Sequence, residues 1–401
     1  MKNPTKYLGN EIKYLSKVLE SEHWSSTSGT WNTILEDSFS EKFQSEYAIA
    51  MNSGTATLHS ALHAVGVQPG DEVISPALSV IMNTSSTIQC GAIPVYVDID
   101  PKTFNMNPED LERKITSKTK AIQVVHLYGL PCDMTSIMEI ANRYEIPVIE
   151  DCAQCFLSEC QGGLVGSFGA FASYSFENSK HMSCGEGGIL TTNNEQYATK
   201  VRKFGNHGFK NSTAKSGRIK LNLEDFQKPN YKRHDSIGWN YRLSEFSAAI
   251  ALAQLERIDD LIDIRIKTSE LFLNAIQDCD YLIPQKTPDG YTHSYWTFGV
   301  LYEGLEQKGI SWEDFRKQYV SRGGDGIYAA WSVPYLEPVI SDKNFINMNR
   351  AVYNDISYHN GLCPVAEEIQ PKLMQFKNNY RDLSLAEKQA KILKETIRYY
   401  G

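Results

Sequence analysis

Between about residues 50 and 205 the chain alternates short, uninterrupted apolar runs with longer segments of helical period, and few architectures accept that pattern. DEVIS (71–75), IPVYVDI (93–99), KAIQVVHL (120–127), IPVIED (146–151) and FASYSF (171–176) read as strands; ATLHSALHAVG (56–66) and MTSIMEIANRYE (134–145) read as helices. A strand that is apolar on both faces has to be covered on both, and helices between successive strands provide the cover. The prediction is an α/β fold with a mostly parallel sheet flanked by helices.

Past residue 243 the pattern changes. LSEFSAAIALAQLERIDDLIDIRIKTSELFLNAI (243–276) predicts one long helix, with an Ala/Leu stripe that gives way to charge, bridging two domains. Beyond it, strand candidates such as YTHSYWTFGVLY (291–302) mix with helices such as LSLAEKQAKILKETIRYY (383–400) and predict a smaller α+β domain. The expected division is residues 1–250, an N-terminal segment and large α/β domain, and residues 251–401, the bridging helix and the smaller domain.

Charge and cysteine usage narrow the partners. A net charge of −8 over 401 residues argues against nucleic acid or a membrane surface, which need a basic field. No stretch approaches the roughly 20 apolar residues of a membrane span, and the amino terminus lacks a secretory run, so the expected location is the cytoplasm. The 8 cysteines are scattered through apolar runs and suit buried, reduced thiols. Cys152 and Cys155 form a C-x-x-C that could serve zinc or redox chemistry, but no second pair stands at the usual distance, and no metal is expected. His59 and His63 lie one helical turn apart without the glutamate of a zinc-protease helix, which favours packing.

Ligands of open α/β sheets bind beyond the carboxyl ends of the strands, so residues just after strands carry the most information. Three stretches qualify. In NSGTATLH the backbone amides of Gly54, Thr55 and Ala56 open a helix and suit a phosphate, although a plain Ser/Thr cap reads the same way. IPVIED ends in Glu150-Asp151, an acid that needs a cation or a proton-sharing partner, or else caps a helix. FASYSF is followed by Lys180 and a glycine-rich turn; a lysine there is either solvated or desolvated and nucleophilic. In order, a phosphate cradle, a strand-end carboxylate and a lysine match the needs of pyridoxal 5'-phosphate.

NSGTATLH, GDEVISPALS, VVHLYGLPCDM, IPVIEDCAQ, SFENSKHMSCGEGGIL, KFGNHGF and GWNYRLSEFSAAIALAQLERI, taken in series, resemble the DegT/DnrJ/EryC1/StrS sugar aminotransferases. The resemblance implies an aspartate-aminotransferase-like fold of type I. It implies an internal aldimine on Lys180, Asp151 facing the pyridine nitrogen, and Gln154 near the ring. It also implies Gly54, Thr55 and Ser175 at the phosphate, and Asn240 reaching the phosphate of a neighbouring subunit in a homodimer. Where many members place an aromatic that stacks on the ring, this chain has Val80, which gives up roughly 1 kcal/mol of stacking. Some members carry histidine in place of the lysine and act as dehydratases. Here Lys180 keeps the spacing to Ser175 and Gly185 whereas His181 breaks it, so transamination is expected.

The implied reaction moves an amino group from L-glutamate, through pyridoxamine 5'-phosphate, to a keto-sugar, most often a nucleotide-linked 3- or 4-keto-deoxysugar; keto-inositols are the alternative acceptors. An anionic acceptor needs cations, and Lys228, Lys232, Arg233, His234 and Arg242 form the nearest basic cluster. Phe204 to Phe209 and Tyr291 to Phe298 are candidates for the pocket wall or for packing. A cofactor-binding regulator would need a nucleic-acid-binding segment, and none is legible.

Overall fold

The computed structural model describes residues 6–217, 223–345 and 350–401. Its strands are β1 (Tyr47–Met51), β2 (Glu72–Pro76), β3 (Ile93–Val97), β4 (Thr119–Val125), β5 (Val148–Asp151), β6 (Glu159–Cys160), β7 (Gly163–Leu164), β8 (Phe171–Ser175), β9 (Gly188–Thr192), β10 (Leu282–Pro284), β11 (Phe298–Tyr302), β12 (Ile327–Ala329) and β13 (Leu373–Phe376). Seven of them build one sheet in the order β1-β9-β8-β5-β4-β2-β3. All pairs are parallel except the two that β9 makes, with β1 and with β8.

Both faces of this sheet are covered, as the uninterrupted apolar runs require. On β5, Val148 enters a core with Leu35, Phe39 and Met134, while its neighbour Ile149 enters the opposite core with Leu58, Leu62 and Val201. The first core is roofed by the helices Trp31–Lys42, Met134–Arg143 and Glu245–Leu255, the second by Gly54–Ala64 and Glu195–Gly205. At about 25 cal/mol per Å² of apolar surface, each fully buried Val, Leu or Ile contributes roughly 1.5–3 kcal/mol.

β9 runs against its neighbours because the chain reverses within a few residues of Lys180. Gly185 takes φ +91, a conformation most side chains resist, and it bridges to Glu177. Gly188 then presses on the start of the helix Gly54–Ala64: an added Cβ would stand 2.7 Å from Ser53 C and 2.8 Å from Gly54 N. The glycine-rich turn therefore returns the chain and admits the helix terminus at the strand ends.

Two expectations change. The helix expected over 243–276 is two helices, Glu245–Leu255 and Ile258–Ile276, because Arg257 leaves helical backbone geometry at φ -122, ψ 15. The amino-terminal segment docks at this break: Asn10 and Tyr14 bond Glu256, and Glu11 approaches Arg257 to 3.8 Å. No Gly or Pro announces the break, since its partners are distant in sequence. The second helix then serves two cores, Leu261 and Ile262 in the sheet core, Phe272 and Ile276 in the carboxy-terminal one. That carboxy-terminal core covers a four-stranded antiparallel sheet ordered β10-β11-β13-β12.

The second change concerns YTHSYWTFGVLY, of which only Phe298–Tyr302 is strand. Residues 291–297 run irregularly along the turn after β4, where Ser294 N donates to Gly129 O (2.9 Å) and Trp296 N to Tyr128 O (2.8 Å). This stitch brings Trp296 to the sheet's ligand-binding edge. No helix among the described residues is long and apolar enough to cross a membrane.

Candidate active site

A cavity of about 410 Å³ opens beyond the carboxyl ends of β5 and β8. Gly54, Thr55, Val80, Asp151, Ser175 and Lys180 all line it, six residues spread over 127 positions of sequence. Ala153, Glu177, Trp296 and Trp331 complete its walls.

At one end is the helix Gly54–Ala64. Its Ser53 cap accepts the amide of Ala56 at 3.1 Å, so Ala56 is held by the ordinary capping bond and does not line the cavity. The amides of Gly54 and Thr55 have no intrahelical partner and point out of the helix terminus, where the dipole favours an anion. A Cβ on Gly54 would stand 2.9 Å from Ser175 Cβ, so only glycine lets Ser175 close this cradle.

On β5 the strand's alternation separates two adjacent acids. Glu150 points away from the cavity and is saturated: it accepts the amides of Gly166 (2.8 Å), Phe168 (2.9 Å) and Gly169 (2.7 Å) and lies 3.2 Å from His126 Nε2. His126 Nδ1 in turn accepts Cys132 N, and Cys152 lies beside this pair. This His–Glu–Cys group is thus a closed structural knot and not an open ligand set. Asp151 faces the cavity, taking Asn83 Nδ2 at 3.1 Å and Ala153 N at 3.0 Å. Burial raises the Asp151 carboxyl above its ordinary value; these two donors, then the charges of Lys180 and His126, only partly oppose it.

Lys180 is the cavity's cation. Burial lowers its pKa from the ordinary lysine value, with Asp151 and Glu177 opposing the shift and Arg265 adding to it. Its Nζ stands 4.8 Å from the Trp296 ring centroid. The next residue, His181, turns the other way: Nε2 bonds Ser294 O at 2.9 Å, the ring is fully buried, and it lines no part of the cavity.

Arg265, 1% exposed, was not legible as a site residue, since its motif is a helix of mixed charge. Its guanidinium joins the lysine loop to the segments flanking the carboxy-terminal sheet, donating to Ser179 O (3.0 Å), Lys180 O (3.1 Å), Trp296 O (2.5 Å) and Asn378 Oδ1 (3.3 Å). No carboxylate pairs with it among the described residues. Burial pushes its pKa down to about 9, which still leaves it charged at neutral pH. Its bonds fix the peptide that carries Lys180. Asn83 was missed too, for its only sequence signal is a polar residue in the first turn after SPALSV.

Other candidates fall outside the cavity. Gln154 is buried with Oε1 accepting Tyr128 N at 2.8 Å, and Asn240 is exposed, its carbonyl accepting Asn52 Nδ2 at 3.2 Å. His59 and His63 pack on Phe204, with centroids at 5.0 and 4.0 Å. Cys152 and Cys155 are fully buried, and burial raises their thiols above the ordinary cysteine value. Lys228 pairs with Asp225 at 2.7 Å on the surface, and Arg242 bonds Asn206 at 2.9 Å. Of the aromatic stretches, only Trp296 reaches the cavity; Phe204 and Phe209 pack on histidines.

A desolvated lysine, a buried acid and a helix-terminus anion cradle around one cavity of a doubly covered sheet define an α/β enzyme of the pyridoxal phosphate class. The donor set fits that cofactor: a lysine for its aldehyde, an acid lacking a cation for its ring nitrogen, free amides beside a mandatory glycine for its phosphate. The chain belongs to the DegT/DnrJ/EryC1/StrS aminotransferase family, whose model matches residues 7–323. GDP-perosamine synthase of Escherichia coli O157:H7 is 36% identical over 300 residues, 75% of this chain and 77% of that one. The aminotransferase from Psychrobacter cryohalolentis superposes with a TM-score of 0.85 at 29% identity, over 99% of this chain and 97% of that one. The dehydratase ColD, at 24% identity, TM-score 0.81 and coverage of 98% and 99%, shares the fold. The family's aminotransferases use pyridoxal phosphate.

Proposed function

We propose that this chain transfers the amino group of L-glutamate to a nucleotide-linked keto-deoxysugar, of which a GDP-linked 4-keto-6-deoxyhexose is the first to test. The observation that carries the reading is Lys180 and Asp151 lining one cavity with Gly54 and Thr55 at its end. When bound, pyridoxal phosphate supplies an aldehyde that takes up and releases the amino group and a ring that accepts an electron pair.

The chain's own residues do the rest. Gly54 and Thr55 amides, with Ser175, hold the phosphate. Asp151, anchored by Asn83 and Ala153, keeps the ring nitrogen protonated, and that cation offsets the burial cost of its carboxylate. Val80, which lines the cavity, would offer the cofactor ring an aliphatic side chain in place of an aromatic. Lys180 would hold the cofactor at rest, and its neutral amine would take the α-proton of the donor and return a proton to the sugar carbon. Desolvation favours that neutral form. Glu177 fixes the loop by accepting Ser179 N at 2.8 Å.

The active site is shared in a homodimer, with Asn240 of each subunit serving the other. Asn240 is exposed here, and beside it Ile237 is 88% and Trp239 55% exposed, an apolar patch that a second copy would cover. The orientation of His181 away from the cavity supports transamination over dehydration.

Mixing holoenzyme with L-glutamate should bleach the cofactor's visible absorbance and release 2-oxoglutarate, and adding the keto-sugar should restore the absorbance and yield an amino sugar. A protein whose absorbance does not respond to glutamate, or a fully active Lys180→Ala variant, ends this proposal.

A further inference from the structure

A second cavity, about 500 Å³, continues the first across the domain junction and shares Ser179, Trp296 and Trp331 with it. Tyr328, Lys377 and Asn379 extend it along the edge of the carboxy-terminal sheet. Its wall is aromatic and unusually open. Trp331 stacks on Trp296 with centroids 5.6 Å apart and planes at 23°, yet stays 41% exposed, and Tyr328 is 62% exposed. Trp296 is fixed by its Nε1 bond to Ser179 O (3.1 Å) and its ring lies against Lys180, so the aromatic pair leads outward from the reacting lysine.

From this arrangement we infer that the sugar ring of the amino acceptor stacks on Trp331, which thereby sets affinity for the acceptor and not for the amino donor; the inference rests on the aminotransferase reading above. Three observations carry it. A pyranose presents a face of C–H groups that packs on an indole, while its hydroxyls need polar partners at the edge. Asn379 lines this cavity, and its side-chain Oδ1 is a buried acceptor with no partner. L-glutamate brings two carboxylates, and Lys377, the cation among the described lining residues of this cavity, is already paired with Asp325 at 3.2 Å. Trp331 also stands one ring beyond Trp296 from Lys180, so a ligand that reacts at the lysine and touches Trp331 must extend past the reacting carbon, as a hexose does.

The two half-reactions separate this role from a structural one. In Trp331→Ala holoenzyme, half-saturation by a GDP-linked 4-keto-6-deoxyhexose should rise about tenfold, several times more than any change in half-saturation by L-glutamate. Trp331→Phe should recover most of the loss, and Tyr328→Ala should show a smaller one. Calorimetric titration of the holoenzyme with GDP-mannose, which cannot react, should show the same tenfold weakening. Equal GDP-mannose affinity in wild type and Trp331→Ala, or an equal change in both half-reactions, overturns the inference. Failure of wild-type protein to react with glutamate at all overturns the aminotransferase reading instead, and the GDP-mannose comparison still decides the stacking site.

Discussion

The cavity has two walls of different origin. The wall from the large sheet consists of strand ends and a helix terminus, and its residues, Gly54, Thr55, Asp151, Ser175 and Lys180, each follow a recognisable local element. The opposite wall comes from an irregular segment and a loop after β12, and presents Trp296 and Trp331. On the function proposed above, the first wall would bind atoms that never change, the phosphate and ring of the cofactor, and a short motif suffices for that. The second would meet the substrate, and its residues are placed by packing between the large sheet and the carboxy-terminal sheet.

Substitutions on the first wall should therefore impair both half-reactions, with Lys180 the most severe. Lys180→Ala should lose on the order of 10⁴-fold in turnover, measured by 2-oxoglutarate release, because on the proposed function one amine would serve as both covalent anchor and proton carrier. Equal loss in Lys180→Arg would show that the neutral amine matters and not the charge.

Asp151→Asn should cost on the order of 10²-fold in turnover, through loss of a fixed charge at the ring nitrogen. It should also act in the opposite direction on the cofactor-free fold. Because the Asp151 carboxyl is raised, its ionisation penalises that fold as pH climbs above the ordinary carboxyl value, and the penalty vanishes in acid, where folded and unfolded chains are both protonated. Cofactor-free Asp151→Asn should thus melt higher than wild type at pH 7 and equally at low pH. Its neighbour Glu150 gives the contrast: Glu150→Gln should cost about 1–3 kcal/mol in urea unfolding, because its buried carboxylate satisfies three backbone amides, while the pH profile of turnover stays in place.

Arg265 belongs to neither wall and joins them. Arg265→Ala should lower turnover about tenfold by loosening the Lys180 peptide, and should shift the alkaline limb of the Lys180 titration upward, since a positive charge that lowered its pKa is gone. Arg265→Lys should restore the limb more than the rate. A limb that does not move in Arg265→Ala would reduce the arginine to a structural tie.

The smallest effect is expected at Val80. Val80→Tyr should tighten cofactor binding by about 1 kcal/mol, read by equilibrium dialysis of pyridoxal phosphate, with little change in acceptor half-saturation. Weaker binding would mean that Trp296 and the present wall leave no room for a second aromatic ring.

How much was legible follows the same division. Strands such as IPVYVDI and KAIQVVHL announce themselves because burial on both faces demands continuous apolar residues, whereas β1 (YAIAM) and β9 (GILTT) are rich in small or polar residues. The spacing from Ser175 to Lys180 to Gly185 singled out Lys180 over His181, and the structure turns the two side chains to opposite sides. Asn83, Arg265 and Trp331 were illegible for one reason: each acts through a contact distant in sequence, Asn83 on Asp151, Arg265 on the lysine loop, Trp331 on Trp296. Gln154 was legible as a position, but Tyr128 N claims its carbonyl oxygen in this conformation.

By itself, then, the sequence determined the doubly covered sheet, the anion cradle, the acid and the lysine, because these depend on period, caps and strand ends, which are local. Tertiary structure alone decided where the helix over 243–276 breaks, which of two adjacent acids faces the cavity, and which aromatic rings line its outer half. The first depends on the amino-terminal segment docking 246 residues away, the others on contacts tens of residues apart, of Glu150 with the amides of Gly166, Phe168 and Gly169 and of Trp331 with Trp296, and none of these leaves a periodic trace in the chain.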